Sequence, residues 1–105
     1  MTSPQQIDLV KLRAAAGEAS KLLKVLANPD RMLLLCQMTQ GEFPVRELET
    51  RTGIAQPTLS QQLTVLREER LVTTRREGKQ IFYSISSKEA LAVLQMLYQL
   101  YCPTE

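Results

Sequence analysis

The strongest constraint on this chain is a very short link between two helical segments. Val45 to Thr52 puts Val45 and Leu48 on one side and Arg46, Glu47, Glu49 and Arg51 on the other. The next segment starts near Gln56-Pro57 and runs to about Arg70, with Leu59, Leu63 and Leu66 stacked at steps of four and three. Only Gly53-Ile54-Ala55 lies between them, and Gly53 suits the left-handed position that ends a helix. Two short helices joined by a turn of three or four residues containing glycine form a helix-turn-helix unit. The unit here spans about residues 45–70.

The other segments surround this unit. Leu9, Leu12, Ala16, Ala19, Leu22, Leu23 and Leu26 recur at helical spacing, with Lys11, Arg13, Glu18 and Lys21 on the other side, which predicts an amphipathic helix over about 9–27. Asn28 as N-cap and Pro29 at the first helical position open a second helix to Met38. Its Met32-Leu33-Leu34-Leu35-Cys36 run is apolar almost all round, so it is expected to be the central buried helix. Pro44 opens the third helix. After Arg70, a loosely alternating Leu71–Arg76, a turn at Glu77-Gly78-Lys79 and a β-branched and aromatic Gln80–Ile85 predict a small hairpin over about 71–85. Ser86 or Ser87 caps a last helix over 88–101, apolar on nearly every side. Such a helix cannot face water, and with the first helix it suggests a subunit interface. The fold class is mainly α with a small β-hairpin wing, in the order α-α-α-α-β-β-α, as one domain over 1–105.

Composition removes several classes of function. The 105 residues contain no histidine, the commonest general base and the commonest transition-metal ligand. None of the four glycines sits in a GxGxxG or GxxxxGK pattern, which argues against a nucleotide-cradling loop. No apolar run approaches the roughly 20 residues needed to span a bilayer. Met1 to Asp8 is polar and lacks a signal-peptide pattern, so a cytoplasmic protein is expected. The net charge of +2 is too small to identify a partner. Cys36 and Cys102 lie 66 positions apart, without a Cys-x-x-Cys, and no nucleophile–base pair is evident. A thiol-disulfide enzyme is therefore a poor reading, and neither enzyme activity nor a cofactor is expected.

Chemistry concentrates on the helix after the glycine turn. Opposite its leucine stripe stand Thr58, Ser60, Gln61, Gln62 and Thr64. A glutamine pairs bidentately with adenine, and serine or threonine reaches a base or a phosphate. The bland alternative is a solvated polar face, although ordinary solvated faces are richer in Lys and Glu. Beyond it, Arg70, Arg75, Arg76 and Lys79 stand against one acid, Glu77, around the hairpin turn. Such a turn suits a phosphate backbone or a minor groove, and it also suits a charged edge that blocks strand aggregation. A purely structural helical dimer would need neither feature.

Three stretches resemble the winged helix-turn-helix of ArsR/SmtB-type repressors. They are Asn28-Pro29-Asp30-Arg31-Met32-Leu33-Leu34-Leu35, Gln56-Pro57-Thr58-Leu59-Ser60-Gln61-Gln62-Leu63-Thr64-Val65-Leu66-Arg67 and Arg75-Arg76-Glu77-Gly78-Lys79-Gln80-Ile81-Phe82-Tyr83. The resemblance covers essentially the whole chain. It implies a homodimer built from the first and last helices, bound to a palindromic double-stranded DNA operator and repressing transcription. It assigns major-groove reading to Gln56, Thr58, Ser60, Gln61 and Gln62, with Thr64 on the same face, and wing contacts to Arg76 and Lys79.

Many such repressors sense metals through a Cys-x-Cys before the recognition helix, or through His and acidic residues on the last helix. Here Glu42-Phe43-Pro44-Val45-Arg46-Glu47-Leu48 has no cysteine, and the last helix has no histidine and only Glu89. A zinc or soft-metal site is not expected from such ligands. Cys36 and Cys102 instead resemble the pair of the sulfide- and persulfide-responsive branch. That likeness implies a switch in which the two thiols of one subunit join, directly or through extra sulfur, and DNA is released in response to reactive sulfur species or an oxidant. From the residues alone, Cys36 reads as a small core side chain and Cys102 as an inert tail thiol. Arg31 and Lys24 are candidates for lowering a nearby thiol pKa. A related activator or anti-repressor that binds DNA without a thiol effector is the alternative, and a metal-sensing repressor with a Cys-plus-carboxylate site ranks below it.

Overall fold

Side-chain caps start three of the five helices where the sequence predicts. In the computed structural model, which describes residues 8–102, the Asp8 carboxylate accepts the Val10 N–H at 2.9 Å and opens α1, Leu9–Leu26. Asn28 Oδ1 accepts the Arg31 N–H at 3.0 Å and opens α2, Pro29–Met38, with Pro29 in the first turn. A two-residue strand β1, Phe43–Pro44, leads into α3, Val45–Thr52. Gly53 ends α3 at φ 74°, its N–H bonded to the Glu49 carbonyl at 2.8 Å. Helix α4, Thr58–Glu68, follows, then strands β2, Val72–Glu77, and β3, Gln80–Ile85. Ser87, of the two serines considered, caps α5, Lys88–Tyr101, by accepting the Ala90 N–H at 3.0 Å.

Three features differ from the sequence reading. The hairpin has a third strand: β1 pairs antiparallel with β3, Phe43 opposite Tyr83 and Pro44 opposite Phe82, in the order β1-β3-β2. Two residues are too few to display a period of two, and an edge strand tolerates the proline that sequence reads as a helix opener. Helix α4 is shorter than the expected span, because Arg70 turns left-handed at φ 62° and the Leu71 N–H closes back on the Leu66 carbonyl at 3.0 Å. Helix α2 is central, touching α1, α3, α4, α5 and β3, yet it is not buried all round. Leu34, Leu35 and Met38 are buried, whereas Leu33 is 47% exposed.

The core is a leucine cluster. Leu26, Leu34, Leu35, Leu48, Leu59, Leu63, Leu66 and Leu94 are fully enclosed, so every α-helix contributes at least one. Ile54 of the turn, Leu71, Val72 and Tyr83 extend the cluster under the hairpin. The hairpin register, Val72 opposite Ile85 through Glu77 opposite Gln80, carries its far end away from the core, where side chains are exposed. Of ten exposed large apolar side chains among the described residues, four lie on α1 (Leu9, Val10, Leu12, Leu23) and four on α5 (Met96, Tyr98, Leu100, Tyr101). The two outer helices therefore carry eight of these ten exposed side chains.

Two neighbouring positions on α4 test this packing. Leu59→Ala should lower the unfolding free energy by about 2–5 kcal/mol in urea denaturation, as deletion of a fully buried leucine does. Gln61→Ala, on the solvent side of the same turn, should change it by about 0.5 kcal/mol or less.

Candidate nucleic-acid interface

The orientation of α4 follows from its leucines. Leu59, Leu63 and Leu66 are buried against the cluster, and at about 100° per residue Gln61 falls on the opposite side. Ser60, Gln61 and Thr64 are exposed, while Thr58 and Gln62 are half-buried. The Thr64 hydroxyl donates to the Ser60 carbonyl at 2.9 Å, which fixes its rotamer and leaves its oxygen able to accept. Neither the Ser60 hydroxyl nor the Gln61 amide has a hydrogen-bond partner among the described residues. The surface they form is short, uncharged and able both to donate and to accept.

Two glutamines of the expected set are engaged within the chain. Pro57 stands at the N-cap of α4 and has no side-chain acceptor, so Gln56 takes that role: its Oε1 accepts the Ser60 N–H at 3.1 Å. Gln62 turns toward α2, where its Oε1 accepts from Arg31 Nη1 at 3.0 Å. Sequence spacing places Gln62 on the polar face, but only the packed helices reveal a guanidinium within its reach.

The wing sorts its cations in the same way. Arg75 Nε donates to Glu42 at 2.8 Å and Nη1 to Glu77 at 3.0 Å, and the guanidinium lies 4.6 Å from the centre of the Phe82 ring. Hydrogen bonds to Glu42 and then Glu77 push its pKa further up. Sequence grouped Arg75 with the phosphate-facing residues; its charge is instead offset by two carboxylates, one of them from the loop before β1. Arg76 Nε leans on the Gly78 carbonyl at 3.3 Å, and Gly78 turns the chain at φ 65°. Arg76 and Lys79 are exposed at the wing tip and make no ion pair among the described residues.

The sequence puts Cys36 in the second helix and Cys102 after the last one, and the structure places them so. Cys36 is half-buried on α2 against the core, and Cys102 is the exposed C-cap of α5, its N–H bonded to the Tyr98 carbonyl at 2.9 Å. Both are free. Burial pushes the Cys36 thiol above its ordinary value, and the charge of Cys102 pushes in the same direction, so the two groups feel one another. The sequence expectation that Arg31 and Lys24 lower a thiol pKa is not met at Cys36. The Arg31 guanidinium points to the Val25 and Lys24 carbonyls and to Gln62. Among the described residues no group of three or more His, Cys, Asp or Glu gathers to hold a metal, and no helix is long and apolar enough to cross a membrane.

A helix-turn-helix whose second helix turns a polar face outward, flanked by a hairpin with a basic tip, defines a winged helix-turn-helix DNA-binding fold. Residues 28–74 match the profile of bacterial regulatory proteins of the arsR family. The biofilm growth-associated repressor of Agrobacterium fabrum is 49% identical over 100 residues, covering 95% of this chain and 86% of that protein. The crystal structure of the transcriptional repressor BigR from Xylella fastidiosa superposes with a TM-score of 0.85 at 45% identity, covering 93% of this chain and all of the other (100%). The transcriptional activator HlyU of Vibrio cholerae is 38% identical over 91% of this chain and 89% of its own. Its reduced form superposes with a TM-score of 0.84 at 39% identity, covering 89% of this chain and 98% of the other. The chain belongs to the arsR family of bacterial regulatory proteins. It is a DNA-binding transcriptional regulator of that family and not an enzyme.

The raised Cys36 pKa has a direct readout, because alkylation consumes only thiolate. Iodoacetamide labelling followed by peptide mass spectrometry should modify Cys102 before Cys36 at pH 8. The Cys36 rate should keep climbing above pH 9, past its ordinary value of 9.0.

Proposed function

We propose that this regulator is a cytoplasmic homodimeric repressor that holds a palindromic double-stranded DNA operator while its thiols are reduced. The observation that carries the reading is the strip of Ser60, Gln61 and Thr64. It is polar and exposed, and it is held opposite the buried leucines of α4. Thr58 extends it toward the helix start. Arg76 and Lys79 reach the backbone beside the site, and Gln56 and Gln62 contribute through the helix they hold in place. The exposed apolar sides of α1 and α5 support pairing of two copies through those helices. Such a dimer would present two α4 helices to half-sites about 34–36 Å apart. The names of the Agrobacterium and Xylella relatives support repression.

The switch we propose is a disulfide or polysulfide between Cys36 and Cys102 of one subunit. A low-molecular-weight persulfide supplies the oxidising equivalents. A cysteine thiolate takes its outer sulfur and releases the parent thiol; the second thiolate then attacks the cysteine sulfur and expels hydrosulfide. Two thiols and one persulfide become one disulfide, one thiol and one hydrogen sulfide; when a second persulfide first converts the other cysteine, the two cysteine persulfides join as a trisulfide with loss of one hydrogen sulfide, and two parent thiols are released in all. Hydrogen peroxide reaches the same disulfide with release of two waters. The bridge would tie α2 to α5 and shift the paired α4 helices out of step with their half-sites. A second reading, an activator or anti-repressor that binds DNA without a thiol effector, is favoured by the activator HlyU among the relatives.

Fluorescence anisotropy on a duplex selected from a random library, with a scrambled duplex as reference, tests the DNA contacts. Gln61→Ala should cost about 1–3 kcal/mol on the selected duplex and little on the scrambled one. Lys79→Ala should weaken both evenly and reduce the slope of log affinity against log salt by about one. Equal losses on both duplexes for Gln61→Ala would remove base reading from α4. Glutathione persulfide should release DNA from the wild type and not from Cys36→Ser. Release from the variant would end the thiol switch and favour the second reading.

A further inference from the structure

We infer that Arg31 is a positioning residue for DNA recognition, setting the rotation of α4 through Gln62 without touching DNA itself. The inference rests on the proposed role of α4. Arg31 stands in the first turns of α2, yet its guanidinium serves three helices at once. Nε donates to the Val25 carbonyl at 2.7 Å and Nη2 to the Lys24 carbonyl at 3.4 Å, both in the last turn of α1. Nη1 donates to Gln62 Oε1 on α4 at 3.0 Å. The final carbonyls of a helix lack the full set of internal partners, and a cation there also complements the helix dipole. Arg31 therefore closes α1 while it holds α4.

The bond to Gln62 has no equivalent elsewhere on the recognition helix. Among the described residues it is the one side-chain-to-side-chain hydrogen bond that joins α4 to another helix. The leucine contacts of α4 are strong, but apolar attraction has no direction, so a helix can roll a few degrees on such a surface at little cost. A hydrogen bond to a planar guanidinium does have direction. Gln62 follows Gln61 directly, so its azimuth sets that of the exposed amide next to it. A lysine at position 31 keeps the positive charge but cannot hold two α1 carbonyls and Gln62 in one planar fork.

The placement also gives α4 a mechanical link to the rest of the molecule. Arg31 lies five residues before Cys36 on α2, and the carbonyls it holds end α1, one of the two apolar outer helices. Movement of α2 relative to α1 acts on this fork before it reaches the leucines.

The test uses the duplex that the full-length wild type selects from a random library, a scrambled duplex of equal length, and the variants Arg31→Lys, Arg31→Met, Gln62→Met, Gln62→Glu and Arg31→Met/Gln62→Met. Circular dichroism and Tm accompany each variant. Arg31→Lys should lose about tenfold in affinity for the selected duplex while affinity for the scrambled duplex and the salt slope stay as in the wild type. The double variant should be no weaker than Gln62→Met alone, because the two side chains act as one unit. Gln62→Glu, which keeps an acceptor for the guanidinium, should retain more discrimination between the duplexes than Gln62→Met. A salt slope lowered by about one in Arg31→Met would make Arg31 a phosphate contact and overturn the inference. Additive losses in the double variant, or equal losses on both duplexes that track Tm, would overturn it too. A wild type that enriches no duplex would bring down the DNA-reading role of α4 itself, a result distinct from any failure confined to the Arg31 variants.

Discussion

Burial of Leu59, Leu63 and Leu66 is the interaction on which the rest of this structure depends. These side chains are within 2% of complete enclosure. Each removes an apolar area from water worth roughly 1.5–3 kcal/mol, so turning α4 over would cost several times the energy of any hydrogen bond on its outer face. The polar residues opposite are consequently held outward by a force in which they take no part. That separation lets the outer strip carry serine, threonine and glutamine, which contribute nothing to the core and are able to form bonds to another molecule. The short Gly53-Ile54-Ala55 link works to the same end. Ile54 enters the core, while Gly53 takes a left-handed conformation that other residues adopt at a cost.

Charge is distributed on a different principle. The residues between Glu42 and Lys79 include several cations, and acids pair with two of them. Arg51 pairs with Glu47 at 3.0 Å and lies 4.3 Å from the centre of the Phe43 ring; Arg75 pairs with Glu42 and Glu77 and lies over Phe82. All of these pairs are partly solvated, so each is weak as a source of stability. Their effect is geometric. The Arg75 bond to Glu42 joins the hairpin to the loop that precedes β1, and β1 is hydrogen-bonded to β3. The wing is thus braced at its base, and its uncompensated charge lies at the tip, on Arg76 and Lys79.

Much of this architecture is legible in the amino-acid order, and the legible parts share a cause. Asn28 before Pro29, Ser87 before α5 and Gly53 after α3 are caps whose chemistry acts within a few residues. The leucine stripe of α4 is local for the same reason. The features that escaped are contacts between distant segments. Strand β1 exists because Phe43 meets Tyr83, forty positions away by number, in a register that two residues alone cannot announce. Gln62 reads as a fifth outward polar residue until α2 brings Arg31 against it, and Arg75 reads as one more basic residue until Glu42 reaches it. Gln56 is an intermediate case. A proline N-cap lacks a side-chain acceptor, and that deficit is visible in the sequence as a reason for the preceding glutamine to turn inward.

Burial and connectivity set limits on the proposed thiol switch. Cys36 sits where desolvation disfavours its thiolate, and ionisation of Cys102 disfavours it further. In the proposed switch the exposed Cys102 would meet an incoming electrophile under less restraint, and Cys36 would take the second, intramolecular step, where tethering offsets a low thiolate fraction. On the proposed reading, that order of events makes the bridge conditional on α5 bringing its C-terminal end to α2. Helix α5 buries only Ala90 and Leu94 and leaves its other side apolar and exposed, so a partner subunit would bear on the same helix that the bridge pulls. Sulfur chemistry and subunit contact would then act on one element, and α2, which carries both Cys36 and Arg31, would pass the strain on to α4.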